Sequence, residues 1–135
     1  MTTSGLSIVV DTSALLTILL GEPDAQKFAN TLAGAREAQI SAASILEAHI
    51  VILHKFGEAA LFDLDSLVRE ARLKIESITV DQLDYARRAY VLYGKGRHVA
   101  GLNFGDCFAY ALAKLRGQPL LYKGDDFSKT DIQRA

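Results

Sequence analysis

The chain has a single cysteine, almost no net charge and no apolar run of membrane length, and each shortage excludes something. One thiol, Cys107, allows no internal disulfide, and it falls among apolar residues at helical spacing, where a small core side chain is expected. No Cys/His cluster with zinc-ligand spacing exists. The apolar block "ALLTILL" is far below the ~20 residues a membrane-spanning helix needs. The first apolar run is short and ends at Asp11, so no signal peptide is expected and a cytoplasmic location is. Lys and Arg number 15 against 16 Asp and Glu, a formal net charge of −1. Nothing global attracts a polyanion, which must therefore be held by local charge. Repeats, low-complexity tracts and linkers are absent. What is present is 135 residues, 50% hydrophobic and 23% charged, the size and composition of one domain spanning 1–135.

"LSIVV" (6–10) is a continuous β-branched run, the pattern of a strand buried on both faces. Thr12 or Ser13 can cap a helix through "ALLTILL", and Glu22-Pro23-Asp24 opens a second helix. "AQIS" (38–41) predicts a short strand, and a long helix runs from Ala42 to Phe56, ending at Gly57. "EAALFDLDSLVREA" predicts another helix, "KIESI" a strand and Val80 to Tyr93 a helix. The loop "GKGRHVAGLN" then leads into the helix "FGDCFAYALAKLRG", and "PLLYK" predicts the last strand. Strands alternating with helices predict a three-layer α/β/α sandwich on a mostly parallel sheet. Ligands of such sheets collect beyond the carboxyl ends of the strands.

Four acids stand where that rule can act on them. Asp11 directly follows the first strand; turn formation or capping is its ordinary explanation. Glu47 interrupts the apolar helix "SAASILEAHIVILHKF", where a charge must reach an edge or find a partner. Asp106 is at the third position of the last helix after Asn103, a good N-cap, so the helix dipole alone could account for it. That helix otherwise predicts a buried stripe of Phe104, Cys107, Phe108, Ala111, Leu112 and Leu115, with Ala109 and Ala113 as a second smooth face. Asp126 follows the last strand beside Asp125, which competes for the same role, and paired acids in a turn are common. Carboxylates gathered at one place repel unless a cation neutralises them, and oxygen ligands without His or Cys suit Mg²⁺ or Mn²⁺. The natural chemistry of such a site is phosphodiester or phosphoryl transfer.

Taken together, "VVDTSALL", Glu47 in "ASILEAHIVI", "GLNFGDCFAYALA" and "PLLYKGDDFSKTDI" resemble the PIN domain, and more narrowly the VapC toxins of type II toxin–antitoxin pairs. The resemblance covers nearly the whole chain in the family's order. It implies a Mg²⁺-dependent ribonuclease restrained by a VapB-type antitoxin, with the family's acids at Asp11, Glu47, Asp106 and Asp126. Asp126 is preferred to Asp125 because it directly precedes Phe127. Thr12 or Ser13 matches the hydroxyl that orients a ligand or water in similar proteins. Such proteins also dimerise, and offer antitoxin a groove formed partly by the N-terminal helices, whose hydrophobic content here exceeds what one sheet face needs.

RNA must also be held by its backbone, and Lys95, Arg97 and His98, in the Gly-flanked loop before Asp106, are the candidates. Lys123 is another, and Arg87 and Arg88 are weaker ones on a solvated helix face. His49 and His54 read as core or edge residues. Tyr90, Tyr93, Tyr110 and Tyr122 read as packing residues with exposed hydroxyls, with base stacking as the alternative. Three other functions share parts of this pattern. A haloacid-dehalogenase-type phosphatase needs a second Asp where Ser13 stands, and a structure-specific DNA nuclease needs threading elements for which the chain is short. A non-catalytic module could use the acids to hold a structural ion.

Overall fold

The β-branched run becomes strand β1 (Ser7–Val10), which pairs in parallel with β2 (Glu37–Ser41) on one side and β4 (Leu120–Leu121) on the other. Strand β3 (Lys74–Glu76) lies beyond β2, so the order is β3-β2-β1-β4 with every pair parallel. The structure, a computed structural model, describes residues 5–135. Parallel neighbours require crossover connections, and helices supply them. Helices α1 (Thr12–Leu19) and α2 (Ala25–Gly34) join β1 to β2. Helices α3 (Ala42–Phe56) and α4 (Leu61–Glu70) join β2 to β3, and α5 (Val80–Tyr93) and α6 (Phe104–Arg116) join β3 to β4.

Period-2 alternation divides the core into two halves. Ile8 and Val10 of β1, Ile40 of β2 and Leu121 of β4 face Leu15, Phe28, Ile52 and Leu64 from α1 to α4. Val9 and Leu120 face the opposite way, onto Ala89 of α5 and Tyr110, Leu112 and Ala113 of α6. The sheet is therefore covered on both faces, which is the expected three-layer arrangement.

Several elements differ from expectation for identifiable reasons. β1 begins at Ser7, and α2 begins at Ala25 because Glu22 to Asp24 form a turn closed by Ala25 N–H donating to the Glu22 carbonyl at 2.8 Å. The helix expected over 58–71 is divided into a 3₁₀ turn (Glu58–Ala60) and α4. β4 has only two residues, and its outer edge is occupied by the C-terminal segment: Leu120 N–H donates to the Gln133 carbonyl at 2.8 Å and Ala135 N–H to the Leu120 carbonyl at 2.9 Å. A guanidinium–ring contact adds to this closure, Arg134 lying 4.2 Å from the Tyr122 ring centroid.

The helices also turn different faces outward. In α6 the buried side is Cys107 together with Ala109 to Ala113, since small side chains allow close approach to the sheet, whereas Phe104 is 79% exposed. In α3 the apolar residues around Glu47 are not all core: Leu46, Ile50 and Leu53 form an outward stripe, 60%, 47% and 43% exposed. In α1, by contrast, Leu16, Ile18 and Leu19 pack against the protein's own core, and the exposed apolar residues lie on α3 and on α5, where Val80, Leu83, Val91 and Leu92 face outward.

The close seating of α6 is testable. Ala113 is 1% exposed, and Ala113→Leu forces extra carbons between α6 and the sheet. We expect a loss of about 1–3 kcal/mol, the usual cost of overpacking, read as a lower urea midpoint. An unchanged midpoint contradicts this packing.

Candidate active site

The chain leaves β1 toward β2 and returns on the opposite side of β1 as β4, which makes the β1/β4 boundary the point where the winding reverses. In open parallel sheets the crevice beyond the strand ends at such a point is the usual ligand site. Asp11 stands there, directly after β1, and is only 5% exposed. Its Oδ2 accepts from Ser13 N–H at 3.0 Å and from the Ser13 hydroxyl at 2.6 Å, so Asp11 itself, rather than Thr12 or Ser13, is the N-cap of α1. The Ser13 Oγ in turn accepts from Lys123 N–H at 3.0 Å, tying the loop after β1 to the loop after β4.

Of the two candidate hydroxyls only Ser13 is on this network. Thr12 is buried, and its hydroxyl donates to the Ser44 carbonyl at 2.9 Å, joining α1 to α3. The expectation that Thr12 contacts substrate is therefore corrected: its one hydroxyl hydrogen is spent inside the fold.

Asp106 both caps and faces the crevice. Asn103 Oδ1 accepts from Asp106 N–H at 2.9 Å while Asp106 Oδ2 accepts from Asn103 N–H at 3.0 Å, a reciprocal capping box. The cap uses one carboxylate oxygen and fixes the direction of the other. Glu47, half-buried on α3, lies against the same turn: a Cβ placed on Gly105 would stand 2.8 Å from Glu47 Oε2 and 3.0 Å from Oε1. Gly105 thus belongs to the site by what it lacks. Its only trace in the sequence is a glycine near the start of an otherwise good helix.

Electrostatics link all four acids. Burial raises the Asp106 carboxyl to about 7, and the charges of Asp11, Asp126 and Glu47 add to the rise, against the lowering effect of the Asn103 N–H. Asp11 is raised as well, chiefly by burial, with Glu47 adding to it and Ser13 opposing it. Asp126 is the member of the Asp125–Asp126 pair whose charge is among those acting on Asp106. Among the described residues no three acids close into a ready-made ligand cage. The convergence shows as the charges of Asp11, Asp126 and Glu47 acting on Asp106 and that of Glu47 on Asp11.

The loop cations, all exposed, also take part in the local structure. Arg97 Nε donates to the Val91 carbonyl at 3.1 Å, and His98 Nδ1 accepts from Ala100 N–H at 3.0 Å while its ring meets Tyr93 edge-on at 5.2 Å. Both side chains therefore brace the loop onto α5, and neither is among the charges acting on Asp11 or Asp106. Lys95 lines a groove between α5 and α6. Lys123 is paired with Asp24 at 2.5 Å. His49 bridges the Ile45 carbonyl and Asp65, an edge role as expected.

This sequence and fold have close counterparts. A PIN domain family model matches residues 8–133. Ribonuclease VapC30 of Mycobacterium tuberculosis is 50% identical over 125 residues, covering 93% of this chain and 95% of that protein. Among solved structures, the M. tuberculosis sarcin–ricin-loop-cleaving toxin VapC20 superposes with a TM-score of 0.75 at 17% identity, covering 95% of this chain and 98% of that one. VapBC2 of Rickettsia felis, bound to a promoter DNA fragment, also superposes with a TM-score of 0.75 at 17% identity, over 96% of each chain. The chain belongs to the PIN-domain family and, within it, to the VapC ribonucleases.

The raised carboxyls set the sign of a pH dependence. The Asp106 value in the folded state lies above the ~3.9 of a free aspartate. The folded protein therefore binds more protons than the unfolded chain between about pH 4 and pH 7, and stability falls as pH rises through that window. Without divalent ions, the melting temperature is expected to drop from pH 5.5 to pH 8, with a shallower drop in Asp106→Asn. A melting temperature that rises over this range, or an equal slope in the variant, contradicts the assignment.

Proposed function

We propose that this chain is a metal-dependent endoribonuclease, the toxin half of a VapBC-type pair, acting on RNA in the cytoplasm. The observation that carries the reading is Asp106 at the β1/β4 crevice, where burial first, and then the charges of Asp11, Asp126 and Glu47, keep its proton on up to about pH 7. An oxygen-only donor set of this kind fits Mg²⁺, with Mn²⁺ as a substitute. Asp11 and Asp106 would hold the ion, and Glu47 and Asp126 would do so directly or through water. When bound, such an ion lowers the pKa of a coordinated water and supports charge on the scissile phosphate.

The protein's own groups prepare that chemistry. Ser13 fixes the Asp11 carboxylate through two hydrogen bonds, and the Asn103 box fixes that of Asp106, so neither must be reorganised when substrate arrives. Glu47, set against Gly105, is positioned to take the proton of the attacking water. Lys95, with Arg97 and His98 bracing its loop, holds the RNA backbone near the crevice. A dehalogenase-type phosphatase fits less well, because the place of its second acid is taken by Ser13, whose hydroxyl serves Asp11.

The partners follow from two surfaces. A groove of about 680 Å³ between α2 and α4, walled by Ile18, Leu32 and Leu67 and rimmed by Arg36 and Arg72, is the proposed seat for a VapB-type antitoxin segment. The outward α3 stripe of Leu46, Ile50 and Leu53 is the proposed face for a second copy of the chain, since apolar stripes of this kind mark interfaces.

The purified protein should cleave single-stranded RNA with Mg²⁺ and stop in EDTA. Asp11→Asn keeps a good N-cap, so the circular dichroism spectrum should be retained while cleavage falls by about a hundredfold or more; full activity in that folded variant contradicts the proposal. For the assembly, light scattering should give the mass of a dimer for the wild type and of a monomer for Ile50→Asp. A wild-type monomer at high micromolar concentration removes the dimer.

A further inference from the structure

The sequence pattern assigns Phe104 to a buried stripe, yet it is the most exposed aromatic ring at the start of α6. Its ring meets Phe108 edge-on at 4.9 Å, which holds it in place. With Leu83, Ala86 and Tyr90 of α5 these rings line a groove of about 510 Å³. Two features separate this groove from the α3 stripe. It reaches Asn103, which is bonded to Asp106 in both directions, so one end of it lies at the turn that carries that carboxylate. Its charged lining residues, Arg87 and Lys95, are both cations. Arg87 is paired with Asp84, whereas among the described residues Lys95 takes part in none of the ion pairs.

An exposed aromatic ring lining one groove with an unpaired ammonium, at the end of the helix whose first turn carries Asp106, is a combination that suits unpaired nucleotides. Rings stack on bases without regard to sequence, and cations follow the phosphates. We propose that the α5/α6 groove is a substrate subsite in which Phe104 stacks on an unpaired RNA base flanking the scissile phosphate, with Lys95 on the adjoining backbone. The assignment rests on the ribonuclease reading and deepens it, making Phe104 a positioning residue. Stacking selects single strands over duplexes, because a paired base has no free face to offer. The lining cations, Arg87 and Lys95, suit a polyanionic strand.

The protein contains no tryptophan, so Phe104→Trp introduces a single reporter at the subsite. In EDTA, its fluorescence should be quenched by a single-stranded RNA oligonucleotide and not by an abasic oligonucleotide of equal length, which keeps the phosphates but lacks the bases. In Mg²⁺, Phe104→Ala should raise KM for single-stranded RNA about tenfold or more, with a smaller change in kcat, and Phe104→Trp should restore it. Equal quenching by the two oligonucleotides, or an unchanged KM in Phe104→Ala, overturns the subsite. Wild-type protein that cleaves no RNA while base-dependent quenching persists overturns the nuclease reading and leaves the subsite standing. A concentration-dependent Trp signal without RNA assigns the groove to a second copy and overturns the proposal.

Discussion

The structure depends on confining negative charge where water cannot fully screen it. Asp11 is enclosed by the packing of β1, α1 and α3, and Asp106 is drawn into the same crevice by the cap of α6. Two carboxylates in such a place repel each other and are disfavoured by burial, and Glu47 and Asp126 add to both burdens. Asp11 and Asp106 offset this by also doing local structural work. Asp11 caps α1, and Asp106 closes a capping box, so the bonds that stabilise the helix ends also aim the carboxylates. A side chain with two oxygens can serve the helix with one and the crevice with the other. Capping and the proposed ligation are thus compatible roles for these residues.

The topology explains why the acids meet although they are scattered from position 11 to position 126. The reversal of winding between β1 and β4 opens a gap at the strand ends, and the loops after both strands discharge into it. The Ser13 hydroxyl closes the gap at its base by joining Asp11 to the backbone of Lys123. Small residues on the sheet side of α6 bring that helix close, and the missing Cβ of Gly105 lets the Glu47 carboxylate approach the turn that carries Asp106. The geometry of the crevice is a consequence of close packing by alanine and glycine as much as of the acids themselves.

Much of this was legible in the sequence because it rests on local rules. Element order, the parallel sheet, the extent of α3 and α5 and the position of each acid relative to a strand or helix end all follow from periodicity and capping. What was not legible depends on tertiary choice. Periodicity shows that α6 has an apolar side but not which of two apolar sides meets the sheet; the alanine side does, and Phe104 turns outward. Thr12 and Ser13 are equivalent as letters, and only the approach of α3 commits Thr12 to the Ser44 carbonyl. The loop cations looked like a uniform basic patch, yet Arg97 and His98 also brace the loop, while Lys95 lines the groove.

The central claim is that four carboxylates share one site whose charge a divalent cation neutralises. The most direct measurement is calorimetric titration of Mn²⁺ into the protein near pH 6.5, repeated in buffers of different ionisation enthalpy. Because Asp106 is held up to about 7, ion binding must displace protons from the site. Saturable binding accompanied by net proton release, with the release lost in Asp106→Asn, is the predicted result. No saturable binding, or binding with no proton exchanged, contradicts the account.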